Sequence, residues 1–350
     1  MKKYKRATMI SAAVLLVLTA VYFNRSALAM MGFDWFLQGG VEKQMEKTYK
    51  PIDGREPKPV GWDKKKGEPF SLLLLGVDQR KNEIGRSDTL IYSIVRPSDG
   101  NILLLSIPRD LYVDIVGKDR KDKINHSYAF GGAGMTMDTI EKLFDAPVDH
   151  YASINFEGFK SVIDAMGGIS LPIKEDIVNK GYNHDYFIIK GGQPLYNGID
   201  ALNFVRYRED AGGDMSRTER HQQFLSAMID KATGMKQWAK IPELINIMGD
   251  NFSTDIQPGQ LIDLGQNLFT SKNRNMYSHT LLGQGHRLKA GGAWYYFADE
   301  EDLRQVQTMI KNWLNPDTTA ANLILPPKYA EQQKKEVSSL SSSVSANETE

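Results

Sequence analysis

From Phe70 onward the chain breaks into short blocks of unbroken apolar residues. "FSLLLLGVD", "TLIYSIVRP" and "NILLLSIPRDLYV" follow one another closely. Each is rich in Leu and Ile and is interrupted by Gly, Pro or Asp, which predicts strands covered on both faces. "PSDG" between the second and third is a turn signal suited to a hairpin.

Beyond these runs the apolar period lengthens. Thr136 to Phe144 and Phe156 to Met166 carry apolar residues at helical spacing, with Phe156, Phe159, Ile163 and Met166 on one face. "MGGISLPI" then predicts a Gly-capped helix end leading into a strand. Ser216 to Thr233 predicts a helix with Phe224, Leu225, Met228 and Ile229 inward and Asp214 as its N-terminal acid or cap. Further helices are expected over Ile241 to Met248, Pro258 to Phe269 and Asp299 to Leu314. Strands and helices interleave, so the class is α/β with a mixed sheet.

A different block opens the chain. Ala7 to Phe23 is uncharged for seventeen residues, preceded by Lys2, Lys3, Lys5 and Arg6 and followed by Arg25. That is the short end of a membrane-spanning helix, with the basic cluster on the cytoplasmic side. The competing reading is a cleaved signal peptide, because "SALAM" resembles a small-residue cleavage site. Either way the rest of the chain is exported. The expected division is a cytoplasmic tip (1–6), a transmembrane anchor (7–23), an extracellular stalk (24–69), one α/β domain (70–326) and a disordered Ser-rich tail (327–350).

Charge narrows the function. Lys plus Arg and Asp plus Glu are both 43, so no overall field draws the chain to nucleic acid, and any anion site is local. Cysteine is absent, which excludes disulfides, thiolate nucleophiles and zinc-thiolate sites. The six histidines show no HExxH spacing. An extracellular orientation without a helix-turn-helix pattern also argues against a DNA-binding regulator.

Charged residues recur where the apolar runs end. Asp78 closes the first, Arg86 and Asp88 open the second, and Arg109 and Asp110 interrupt the third. One such pair reads as a turn or a local ion pair, but charges are almost never fully buried unless paired or functional. "ALNFVRYREDAGGDMSRTERHQQF" adds Arg206, Arg208, Arg217 and Arg220. If Phe204 to Arg208 is extended, Arg206 and Arg208 share one side. Arg217 and Arg220 neighbour each other on the following helix. Several guanidinium forks imply phosphate or pyrophosphate. Asp78 and Asp88 suit Mg²⁺, which takes one or two carboxylates plus phosphate oxygens and water; Mn²⁺ would accept the same ligands. There is no Walker GxxxxGK or kinase GxGxxG. The aromatic stretch "GGAWYYFADEEDL" reads as strand packing before the last helix and is assigned no function.

"LLLLGVDQR", "GRSDTLIY", "LLLSIPRDLYV", "KINHSYAFGG", "FEGFKSVIDAMGGISLPI", "GIDALNFVRYRED" and "DMSRTERHQQFL", in this order, resemble the LytR-CpsA-Psr family of bacterial envelope proteins. The resemblance covers roughly Phe70 to Phe224. It implies an α/β/α sandwich around a central mixed sheet. It also implies a phosphotransferase at the outer face of the cytoplasmic membrane, moving a glycopolymer from a polyprenyl-pyrophosphate carrier onto peptidoglycan. By the same resemblance Asp78 and Asp88 are metal ligands, and Arg86, Arg109, Arg206, Arg208 and Gln222 bind pyrophosphate. Arg220 and Arg217 are added to that set, Asp88 and Arg109 are the catalytic candidates, and Asp214 opens the last motif without an assigned role. An aspartate bound to Mg²⁺ is a poor proton acceptor, so Asp88 is a ligand first and a base second. A non-catalytic binder of polyprenyl phosphate or wall polymer, and a hydrolase releasing the glycan, remain as alternatives.

Overall fold

The computed structural model describes residues 45–56, 58–60, 67–78, 85–181, 186–207, 213–232, 241–270 and 275–330. Two units divide the chain, Met1–Lys47 and Thr48–Glu350. The sheet, its helices and the candidate site all belong to the second. The expected anchor lies outside the described residues, among which no helix is long and apolar enough to cross a membrane.

Six strands form the central sheet: β1 (Phe70–Asp78), β2 (Arg86–Arg96), β3 (Asn101–Ile107), β6 (His150–Asn155), β9 (Phe252–Thr254) and β10 (Asn275–Thr280), in the order β10-β3-β2-β1-β6-β9. Three two-stranded ribbons stand apart from it: β4 (Tyr112–Ile115) with β5 (Arg120–Lys123), β7 (Ile177–Asn179) with β8 (Phe187–Ile189), and β11 (Gly283–Arg287) with β12 (Trp294–Ala298). β1 runs antiparallel to β2 and parallel to β6, and β3 runs parallel to β10. The sheet is therefore mixed, and the expected β2–β3 hairpin is present.

Alternation along β1 assigns its two faces. Leu73, Leu75 and Val77 enter one core with Met137 and Ile140 of α1 (His126–Phe144) and Trp313 of α7 (Glu300–Leu314). Trp313 is fully buried there, and truncating such a side chain costs about 3–5 kcal/mol. The opposite face is covered by α2 (Phe156–Ala165), α3 (Gly198–Arg206) and α4 (Gly213–Ala232). The layers are helix, sheet, helix. Two peripheral helices, α5 (Ile241–Asn251) and α6 (Pro258–Thr270), are also present among the described residues.

Two expectations are corrected. Phe204 to Arg206 is helical, because Asn197 caps α3 by accepting from the Asp200 N–H at 2.8 Å and Ala201, Leu202, Phe204 and Val205 all turn inward. "MGGISLPI" does end α2 at glycines of positive φ, where a Cβ on Gly168 would lie 2.9 Å from the Tyr196 carbonyl. Past those glycines the chain makes one isolated bridge, Ile169 to Tyr196, rather than a strand. Packing also extends past both expected domain boundaries. Arg55, assigned to the stalk, reaches Asp138 and Glu141 of α1, and Val60 is buried beside Phe70. Tyr329, assigned to the tail, bonds Gln222 at 3.1 Å.

Arg96 is the least expected residue of the interior. It is 2% exposed and donates to Asp99 at 2.9 Å and to the carbonyls of Trp313, Asn315 and Thr318 at 2.7, 3.2 and 2.5 Å. A buried guanidinium with four acceptors is well matched. It ties the β2–β3 hairpin to the end of α7.

Candidate functional site

Strand polarity brings the charged residues to one edge. β1 ends at Asp78, the antiparallel β2 begins at Arg86, and β3 ends two residues before Arg109, so all three meet at the same side of the sheet. The register slips between Gly76 and Val77: Gly76 faces Thr89, Val77 faces Ser87 and Asp78 faces Arg86. An unbroken ladder would put Asp88 opposite Val77, a core position. The one-residue bulge spares the carboxylate that burial and sets Arg86 against Asp78 instead.

Asp88 Oδ1 accepts from Arg109 Nη1 at 2.5 Å, with 15% and 23% of the two side chains exposed. Arg109 Nε lies 3.7 Å from Asp110, and Lys123 Nζ lies 2.7 Å from that same carboxylate. Arg109 Nε, Ser87 Oγ and Asn125 Oδ1 are buried without hydrogen-bond partners among the described residues. Ser87 adjoins Asp88, and the Asn125 N–H donates to the Arg109 carbonyl at 3.2 Å. Unmatched buried polar atoms gathered at one place are what a polar ligand would satisfy. Ser87 and Asn125 lie within the "GRSDTLIY" and "KINHSYAFGG" motifs, yet their uncharged side chains gave no sign of a role.

Across the sheet, β1, β2 and β6 form the floor of a cavity of about 250 Å³, roofed by α2, α3 and α4. Leu74, Ala152, Phe159, Leu202, Phe224 and Met228 make it apolar, and Phe159 stacks on Phe224 at 4.9 Å. Arg206, the last residue of α3, lines it as well, its guanidinium 4.6 Å over the Phe156 ring. Arg220 donates to the Tyr207 carbonyl at 2.5 Å, and His221 Nε2 is 3.1 Å from the Val205 carbonyl. Both are buried. They brace the turn that presents Arg206, a role the sequence did not reveal for His221.

Gln222 separates from these residues. It faces the far edge, accepting from Ser278 Oγ at 2.8 Å and from the Tyr329 hydroxyl. Arg208 lies outside the described residues, as do the side chains of Asp214 and Arg217. No group of three or more acidic or His residues among the described ones could by itself hold a metal. Asp78 stands opposite Arg86, two residues from Asp88, and two carboxylates at the ends of neighbouring strands are the donor type that suits a hard cation completing its shell with phosphate oxygens and water.

Known proteins share this arrangement of elements. The "polyisoprenyl-teichoic acid--peptidoglycan teichoic acid transferase TagU" of Bacillus licheniformis is 38% identical over 251 residues, 71% of this chain and 79% of its own. The crystal structure of B. subtilis TagV superposes with a TM-score of 0.59 at 33% identity, covering 71% of this chain and 98% of that one. The structure of TagT bound to LI-WTA gives 0.59 at 27% identity, covering 76% and 99%. A model of the LytR_cpsA_psr family matches residues 36–312, most of the chain, and this protein belongs to that family.

Proposed function

We propose that this chain is a phosphotransferase that moves a teichoic acid or related wall glycopolymer from a polyprenyl-pyrophosphate carrier onto peptidoglycan. The observation that carries the reading is the apolar cavity ending at Arg206, in a sheet whose edge bears Asp88 and Arg109. An amphipathic carrier with a long apolar tail and a diphosphate head matches both halves. The activity named for the relative from Bacillus licheniformis is of the same kind.

In the reaction an acceptor hydroxyl oxygen attacks the phosphorus that bears the sugar. The new O–P bond forms as the bridging P–O bond breaks, polyprenyl phosphate leaves, and the hydroxyl proton is released. Guanidinium groups aimed at the phosphates stabilise charge that grows in the transition state. Arg109, oriented by Asp88, and Arg206, oriented by Phe156 and the braced turn, are the groups in position for this. Asp78 and Asp88 would hold Mg²⁺, which neutralises phosphate charge when bound. The cavity keeps water from the lipid tail. The chain would act outside the cell, its domain carried at the cytoplasmic membrane by the Ala7 to Phe23 segment.

The test is a transfer assay with the full-length chain in detergent. A synthetic polyprenyl-pyrophosphate glycan and a peptidoglycan oligomer are incubated with and without Mg²⁺, alongside Asp88→Ala and Arg206→Ala proteins. Glycan on the acceptor, lost in both variants and without metal, is the expected result. Carrier binding without product would leave a binding protein, and free glycan without acceptor labelling would identify a hydrolase.

A further inference from the structure

The β11–β12 hairpin carries rings that the transfer reaction leaves unused. A bridge from Leu111 to Tyr296, with the Tyr296 N–H donating to the Asp110 carbonyl at 2.9 Å, joins β12 to the start of β4. The ribbons β4–β5 and β11–β12 thereby continue into one another. Leu111 and Tyr296 are buried on the inner side. Alternation then sends Tyr112, Tyr295 and Phe297 to the outer side, where they are half-buried.

These rings touch. Tyr112 lies 4.8 Å from Tyr295 and 5.5 Å from Phe297 between centroids, and the exposed His286 stacks on Phe297 at 4.0 Å with 16° between planes. Lys123, opposite Tyr112 in β5, stands 5.8 Å over the Tyr295 ring and 2.7 Å from Asp110. Asp110 follows Arg109 directly, so the aromatic face begins where the anion site ends. Interior packing does not account for four clustered rings on the outer side of a ribbon. Aromatic faces edged by an acid and an ammonium suit a sugar, whose C–H face lies on the rings while its hydroxyls bond the charged rim.

We propose that the outer face of Tyr112, Tyr295, Phe297 and His286 is the acceptor subsite, binding the glycan strand that receives the transferred polymer; the assignment of acceptor rests on the transferase reading above. Two observations favour the acceptor over the donor glycan. Lys123, the ammonium that touches the rings, is already matched by Asp110 and offers little to a polyphosphate chain. The cavity suited to the carrier lies on the α2–α4 side of the sheet, whereas the buried side of this face joins the α1–α7 core through Leu111 and Tyr296.

The experiment titrates the full-length chain in detergent with chitotetraose, a β-1,4-linked N-acetylglucosamine oligomer, and separately with farnesyl pyrophosphate, by calorimetry. Tyr295→Ala and Phe297→Ala should each weaken the oligosaccharide by about tenfold, as loss of a central aromatic contact does. Tyr295→Phe should bind as the parent does, and farnesyl pyrophosphate should bind all four proteins alike. Absence of oligosaccharide binding to the parent, or equal binding by the alanine variants, overturns the proposal. So does binding of poly(glycerol phosphate) that Tyr295→Ala abolishes while the oligosaccharide is ignored, since the face would then serve the donor. Transfer with an unchanged acceptor KM in Tyr295→Ala would sink the subsite alone. Ring-dependent oligosaccharide binding with no transfer by the parent would sustain a glycan-binding face and sink the transferase reading.

Discussion

Arg109 Nη1 stands 2.5 Å from Asp88 Oδ1, so the guanidinium best placed for a phosphate is held by a carboxylate from the neighbouring strand. Its Nε stays buried without a hydrogen-bond partner among the described residues. A lysine in its place keeps the charge but not the fork. Arg109→Lys should therefore lower transfer by about 100-fold, the order lost with one well-aimed donor. Initial rates at saturating carrier measure it, and a rate within a factor of two of the parent would remove Arg109 from the reaction.

Filling the cavity should separate carrier binding from folding. Ala152 lines it from β6 and shares a face with Leu74. Ala152→Phe should weaken farnesyl pyrophosphate by about tenfold or more while the cooperative thermal transition remains. Unaltered affinity would mean that the tail binds elsewhere.

Arg96 predicts the reverse separation. Its replacement by Met strips Asp99 and three carbonyls of their donor. Losing this set of charge-assisted bonds, the one to the buried Trp313 carbonyl among them, should cost about 3 kcal/mol, read from urea denaturation. Transfer per folded molecule should stay near the parent's, because Arg96 touches neither the cavity nor the Asp88–Arg109 pair.

Alkaline pH should destabilise the domain. Burial raises the hydroxyl pKa of Tyr92, and burial with the nearby Asp255 carboxylate raises that of Tyr151. The folded chain then keeps protons that the unfolded chain releases near pH ~10. Stability from these groups is complete below that value and falls as pH climbs past it. Urea midpoints taken between about pH 8 and pH 11 should decline less steeply in Tyr92→Phe and Tyr151→Phe proteins. Parallel slopes in all three would contradict burial as the cause.

Much of this architecture was legible because strands covered on both faces announce themselves as unbroken apolar runs, and β1 to β3 are of that kind. Asp88 and Arg109 stood out because charge interrupts those runs. Around Phe204 to Arg206 two periods overlap: Ala201, Leu202, Phe204 and Val205 carry the helical one that the fold adopts, whereas Arg206, Tyr207 and Arg208 alternate as a strand would. Other features depend on partners remote in sequence. Gln222 is drawn to Ser278 and Tyr329, and the face at Tyr295 needs strands from two separate ribbons. No local window contains those pairings.

The guanidinium of Arg96 also sets an order of events. Asp99 is three residues away, but its other acceptors come more than two hundred residues later. Chains are made from the N-terminus, and early segments collapse before late ones arrive. The hairpin that carries Asp88 and leads to Arg109 is among the first structures possible, yet its interior cation waits for Trp313 to Thr318. A chain cut short before that point would present the whole charged edge on a hairpin whose central guanidinium lacks three of its four acceptors. The interior of the hairpin is therefore completed only when the turn after α7 has been made and docked.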